Sequence, residues 1–134
     1  MSENNSEKVS VNINISTLSG IDLLVDGGYY SNRSDFINQA LRSALQQHQN
    51  TIDRLIDQNA KQQKEGWFLG ICGYTAKDIE QLYLEGQSFD VKGYGMLVLD
   101  KACDEQKLFS VVQSIRVKGK VSCTPSVKAH YGLK

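Results

Sequence analysis

The sequence predicts an α+β protein in two parts, and three observations predict it. Residues 8–15 alternate strictly between polar and apolar side chains, the period of a strand with one wet and one buried face. Two segments then follow with apolar residues at helical spacing, parted by Gly27-Gly28. Beyond Gly66 the composition changes. Eight of the eleven glycines, the only Trp and the only Pro fall in residues 66–134, where strand and helix patterns alternate as β-α-β-α-β-α.

Residues 1–7 are polar and read as a flexible tail, with no apolar stretch of the kind a signal peptide carries. In the strand pattern Val9, Val11, Ile13 and Ile15 form the apolar face and Lys8, Ser10 and Asn12 the polar one. Asn14 alternates outward too, but it stands where a helix begins and reads as its cap. Leu18, Ile21, Leu24 and Val25 mark that helix, and Gly27-Gly28 stops it. Ser31 or Asn32 caps the next helix, whose apolar face is Phe36, Ile37, Ala40, Leu41, Ala44 and Leu45. One strand and two helices bury too little to stand alone, and a lone strand leaves both edges unpaired. A second copy repairs both defects if the two strands pair antiparallel about a two-fold axis and four helices close over them. The paired strands then present Lys8, Ser10 and Asn12 on a surface that fits the major groove of B-DNA.

These residues carry a resemblance. KVSVNI, LSGIDLLV and GYYSNRSDFINQALRSAL resemble the ribbon, first helix, and turn with second helix of the ribbon-helix-helix repressors of the Arc, MetJ and CopG type. The segment is most similar to the N-terminal domain of nickel-responsive repressors, and the resemblance spans about a third of the chain. It implies a dimeric ribbon-helix-helix domain over residues 8–48, one strand per chain. It also implies base reading by Lys8, Ser10 and Asn12, and phosphate binding at the second helix's N-terminus by Ser31, Asn32, Arg33 and Ser34. The physics agrees at that N-terminus, where free N–H groups and the helix dipole attract an anion.

Residues 49–65 read as a helical extension or linker: Ile52, Leu55 and Ile56 keep helical spacing, and either the second helix runs on or a separate one follows, ending at Gly66. The C-terminal part, residues 66–134, reads as a small α/β or α+β domain. Trp67 to Tyr74 is a strand. Thr75 and Asp78 form a capping box for a helix with Ile79, Leu82 and Tyr83 that ends at Gly86. Phe89 to Leu99 is a strand whose Met96–Leu99 run reads as buried on both faces. Leu108, Val111, Val112 and Ile115 mark a helix, Lys118 to Cys123 another strand, and Thr124-Pro125 opens a last short helix.

Composition bounds the function. No run of 18 apolar residues occurs, so no membrane helix is expected. Three cysteines, Cys72, Cys103 and Cys123, without paired spacing fit a reducing cytoplasm better than a disulfide scaffold. The chain is neutral, 15 basic against 15 acidic residues. Residues 1–50 carry Lys8, Arg33 and Arg42 against Glu3, Glu7, Asp22, Asp26 and Asp35, so few phosphates are neutralised and a shallow salt dependence is expected. No CxxC or HxH occurs, and the histidine set of nickel-responsive repressors is missing, so neither a metal nor a cofactor is expected. Asp100, Asp104 and Glu105 read as helix-start carboxylates, Cys72, Cys103 and Cys123 as small buried hydrophobes, and Cys123 with His130 lacks a third group to orient a nucleophile. Arg116, Lys118, Lys120 and Lys128 make a modest basic cluster that reads as solvated surface, DNA flank or anion site.

The expectation is thus a non-enzymatic homodimer that binds double-stranded DNA as a transcriptional repressor. Its C-terminal domain senses an unknown effector or assembles dimers further. Two rivals stay open: an antitoxin that also binds a toxin, and an assembly protein whose ribbon only dimerises.

Overall fold

The computed structural model of the chain describes residues 6–62 and 65–133. The expected flexible tail falls mostly on residues 1–5, outside that part. The chain divides into two compact units, residues 1–54 and 55–134.

In the first unit, α1 spans Ile15–Asp26 and α2 Arg33–Gln47. The Asn14 side chain accepts the Ser16 N–H, as its position before the apolar run predicts. Ile15, read above as the last apolar residue of the strand, is instead the first residue of α1, because the cap starts the helix one residue earlier. Gly27 ends α1, donating its N–H to the Leu23 carbonyl. Of the two cap candidates for α2 it is Asn32 that caps, accepting the Asp35 N–H at 2.8 Å. His48 closes α2 and a separate helix, α3, spans Gln49–Gln62, which decides between the two readings of this stretch.

Residues 6–14, expected as a strand from Lys8, carry no regular element. Ile21 is the only buried side chain among the described residues of this unit. Val9 is 76% exposed, Val11 71%, and Leu41 and Leu45 more than half. Most of the apolar residues that the pattern assigns to a core are thus half-buried or exposed.

The second unit holds β1 (Trp67–Tyr74), α4 (Ala76–Leu84), β2 (Phe89–Leu99), α5 (Glu105–Val111), β3 (Val112–Ser122) and α6 (Pro125–Tyr131). Thr75 and Asp78 form the expected capping box, and Pro125 opens α6 behind Thr124. Val112 and Ile115, expected on a helix, belong to β3, which begins six residues before Lys118. The strands form one parallel sheet in the order β1-β2-β3. Right-handed crossovers that step one way along a sheet put their helices on one face. Ile79 of α4, Leu108 and Val111 of α5, and Val127 of α6 accordingly share one core with Val91, Leu97, Val112 and Ile115.

A row of glycines crosses the sheet. Gly70, Gly95 and Gly119 are paired neighbours, spaced by 25 and 24 residues, and all have positive φ, 102°, 124° and 142°. A Cβ on Gly95 would overlap the Gly70 carbonyl, and one on Gly119 the Gly95 carbonyl. Only glycine permits this backbone at this approach. The unit is thus a short stack of βα repeats with a shared glycine position.

Candidate nucleic-acid interface

The N-terminal residues predicted to read bases, Lys8, Ser10 and Asn12, are all exposed. They alternate with Val9 and Val11, and the segment leads directly into the Asn14 cap of α1.

At the other predicted contact, Ser31, Asn32, Arg33 and Ser34 come together at the N-terminus of α2, and all four are exposed. Local physics explains the turn. Asn32 caps the helix, while the Asp35 carboxylate accepts the Ser31 N–H at 3.0 Å and a Gln39 side-chain N–H at 3.0 Å. Those bonds, the Ser31 backbone first, hold the Asp35 carboxyl below the usual carboxylate range. Tyr30 packs edge-on against Phe36, with ring centroids 4.9 Å apart, and fixes the chain's entry to the helix. With Ser31 and Asp35 N–H groups engaged, the first-turn N–H groups of Arg33 and Ser34 remain, positions that no intrahelical acceptor can reach.

Arg33 has a partner that the sequence pattern did not reveal. Its Nε and Nη2 donate to both carboxylate oxygens of Asp22 at 2.8 and 2.9 Å, bracing α1 against α2. The hydrogen bond from Arg33 lowers the Asp22 pKa, and the same bond raises that of Arg33. The pair lies eleven residues apart, beyond any helical spacing, so no periodicity could have shown it.

The remaining candidates have structural roles. Asp104 caps α5 by accepting the Lys107 N–H, Glu105 accepts from the Ser126 hydroxyl, and Asp100 accepts the Ala102 N–H. Burial pushes the Cys72, Cys103 and Cys123 thiols up, away from thiolate reactivity. His130 stacks face to face on Phe109, with centroids 3.6 Å apart. Among the described residues no group of three metal-ligating side chains comes together, and no helix is long and apolar enough to cross a membrane.

The basic cluster divides. Arg116, Lys118 and Lys120 share the sheet face opposite the core, and Lys92 joins them as the lateral neighbour of Arg116. Lys128 lies on α6, whose Val127 packs into the core on the covered side.

An exposed alternating segment thus leads into a capped helix pair with open first-turn N–H groups. A family model described as the ribbon-helix-helix transcriptional regulator family matches residues 4–128. The chain belongs to that family. The matched span runs past the helix pair through all three strands and into α6, so it covers most of both units. No curated protein and no solved structure matches the chain.

Proposed function

We propose that the chain acts as a sequence-specific DNA-binding homodimer and represses transcription. One observation carries the reading: among its described residues the first unit buries a single side chain, while Val9, Val11, Leu41 and Leu45 are exposed. A second copy supplies the missing core when residues 8–14 of the two chains pair as antiparallel strands. That pairing sends Val9, Val11 and Ile13 inward and Lys8, Ser10 and Asn12 outward, into the major groove. Lys suits guanine, and Asn pairs bidentately with adenine.

The α2 N-terminus then holds a backbone phosphate through the N–H groups of Arg33 and Ser34 and the Ser34 hydroxyl. The Arg33 guanidinium stays with Asp22 and fixes the angle at which α2 presents those groups. Asn32 serves as the cap and Ser31 as the anchor for Asp35. Phosphate contacts of this kind set register, and base contacts set sequence. The second unit has a core of its own, which counts against an antitoxin tail that folds only on a toxin.

Selection of random duplexes on the purified full-length protein tests the proposal. Enrichment of a two-fold symmetric site, with half-sites related by the dimer axis, is the expected result. Retained duplexes without any shared sequence would overturn it and leave the ribbon as a dimerisation device.

A further inference from the structure

All-parallel sheets occur almost only where both faces are covered by helices. Here α4, α5 and α6 cover one face; the other is open along its β1 and β3 sides, while Met96 at its centre is 7% exposed. The register lays that open face out in rows: Trp67, Lys92 and Arg116; then Leu69, Tyr94 and Lys118; then Ile71, Met96 and Lys120. Its β1 side is apolar, with Leu69 51% and Ile71 63% exposed. Its β3 side is cationic, and none of Lys92, Arg116, Lys118 or Lys120 has an ion-pair partner among the described residues. A shallow groove of about 380 Å³ runs between Lys92, Tyr94, Arg116 and Lys118. Lateral like charges such as Lys92 and Arg116 repel. The missing layer is therefore an amphipathic helix with one acidic flank.

The chain carries such a helix. No residue of α3 is fully buried: Ile52, Ile56 and Asn59 are half-buried and Leu55 is exposed. At 100° per residue Ile52, Leu55, Ile56 and Asn59 form one stripe, Asp53 and Asp57 lie along one flank, and Gln58 and Gln62 along the other. Arg54 and Lys61 fall on the back. The spacings agree as well. Asp53 and Asp57 are about 6 Å apart along a helix axis, and alternate residues of β3 about 6.6 Å apart along the strand.

We propose that α3 of a second copy covers this sheet face, its apolar stripe on Leu69 and Ile71 and its Asp53–Asp57 flank on Arg116, Lys118 and Lys120. The two copies exchange this helix symmetrically. The interface needs a second copy but not a base-reading ribbon, so it stands or falls apart from DNA recognition.

Full-length protein at natural abundance is mixed with fully ¹⁵N-labelled protein, and the subunits are exchanged. A carbodiimide then joins touching carboxylates and lysines, and the linked peptides are read by mass spectrometry. Links from Asp53 or Asp57 to Lys118 or Lys120 are expected, with mixed-label pairs about as abundant as same-label pairs. Links in same-label pairs alone would place α3 on its own sheet and overturn the proposal. So would links from these lysines only to other carboxylates, or none. Trp67, the only tryptophan, lies half-buried in the first row of that face and gives a second readout. Asp53→Lys with Asp57→Lys should raise acrylamide quenching of Trp67. Adding Arg116→Glu and Lys118→Glu should reverse the quenching change. Quenching unmoved by either set would overturn the proposal.

Discussion

Replacing Gly95 by alanine probes the glycine row, the least forgiving feature of the second unit. Two effects add at this position. A φ of 124° is a conformation that a residue with a Cβ rarely adopts, and holding one there costs about 1–3 kcal/mol. The new methyl also overlaps the Gly70 carbonyl, so β1 and β2 must part locally. Together these put the loss at roughly 3–5 kcal/mol, within the range reserved for named backbone and packing defects. Gly70→Ala is the internal control. It lies in the same row with φ 102°, but nothing stands within 4 Å of its Cβ, so only the first effect applies. Urea unfolding of the full-length protein, followed by Trp67 fluorescence, measures both variants, with the slope expected unchanged. Gly95→Ala costing no more than Gly70→Ala would refute the close-approach argument.

Three further outcomes follow from the same geometry. Asn32→Ala should lower the stability of the helix pair by about 1 kcal/mol, because the Asp35 N–H loses its acceptor; far-ultraviolet circular dichroism during urea titration reads this. The Asp22 carboxyl is held below its ordinary value of 3.8, first by the Arg33 hydrogen bond. Its contribution is present above that value and lost as pH falls through the lowered one, so Asp22→Asn should flatten the low-pH loss of helicity. Tyr131 donates its hydroxyl to the Val112 carbonyl at 2.7 Å, and burial pushes its pKa up to about 12. A raised pKa means the stabilisation is complete below pH 10 and lost as pH rises toward 12. Tyr131→Phe should remove part of that alkaline dependence in the second unit.

How legible each element was depends on whether its cause is local. Thr75 with Asp78, Thr124 with Pro125, and Asn14 before Ile15 are caps, made by neighbours in sequence, and each stands where the pattern put it. The limits Phe89 and Leu99 of β2 were equally readable, since turn residues bound the apolar run. The start of β3 was not. α5 passes directly into it, and a bulge lets Phe89 and Val91 face Val112 and Ile115, so Gln113 and Ser114 stand opposite the single residue Asp90. That extra residue turns the strand's period of two into an apparent helical spacing at Leu108, Val111, Val112 and Ile115. The glycine row left a readable signal in Gly70, Gly95 and Gly119 at near-constant intervals, which comparing the chain with itself would show. The Arg33–Asp22 pair left none, because only folding brings those two helices together. In the candidate interface, the exposure of Lys8, Ser10, Asn12 and residues 31–34 was legible. What Arg33 is bound to, and which N–H groups are spent on Asp35, belong to the tertiary structure.

The most direct measurement of the central claim is a binding titration of Asn12→Ala against the selected duplex and a scrambled one, at two salt concentrations. If the paired ribbon reads bases, the variant loses roughly 1–3 kcal/mol per copy at the selected site, and little on the scrambled duplex. The salt dependence stays unchanged, since no phosphate contact is removed. Equal weakening on both duplexes, or none on either, would contradict base reading by residues 8–12.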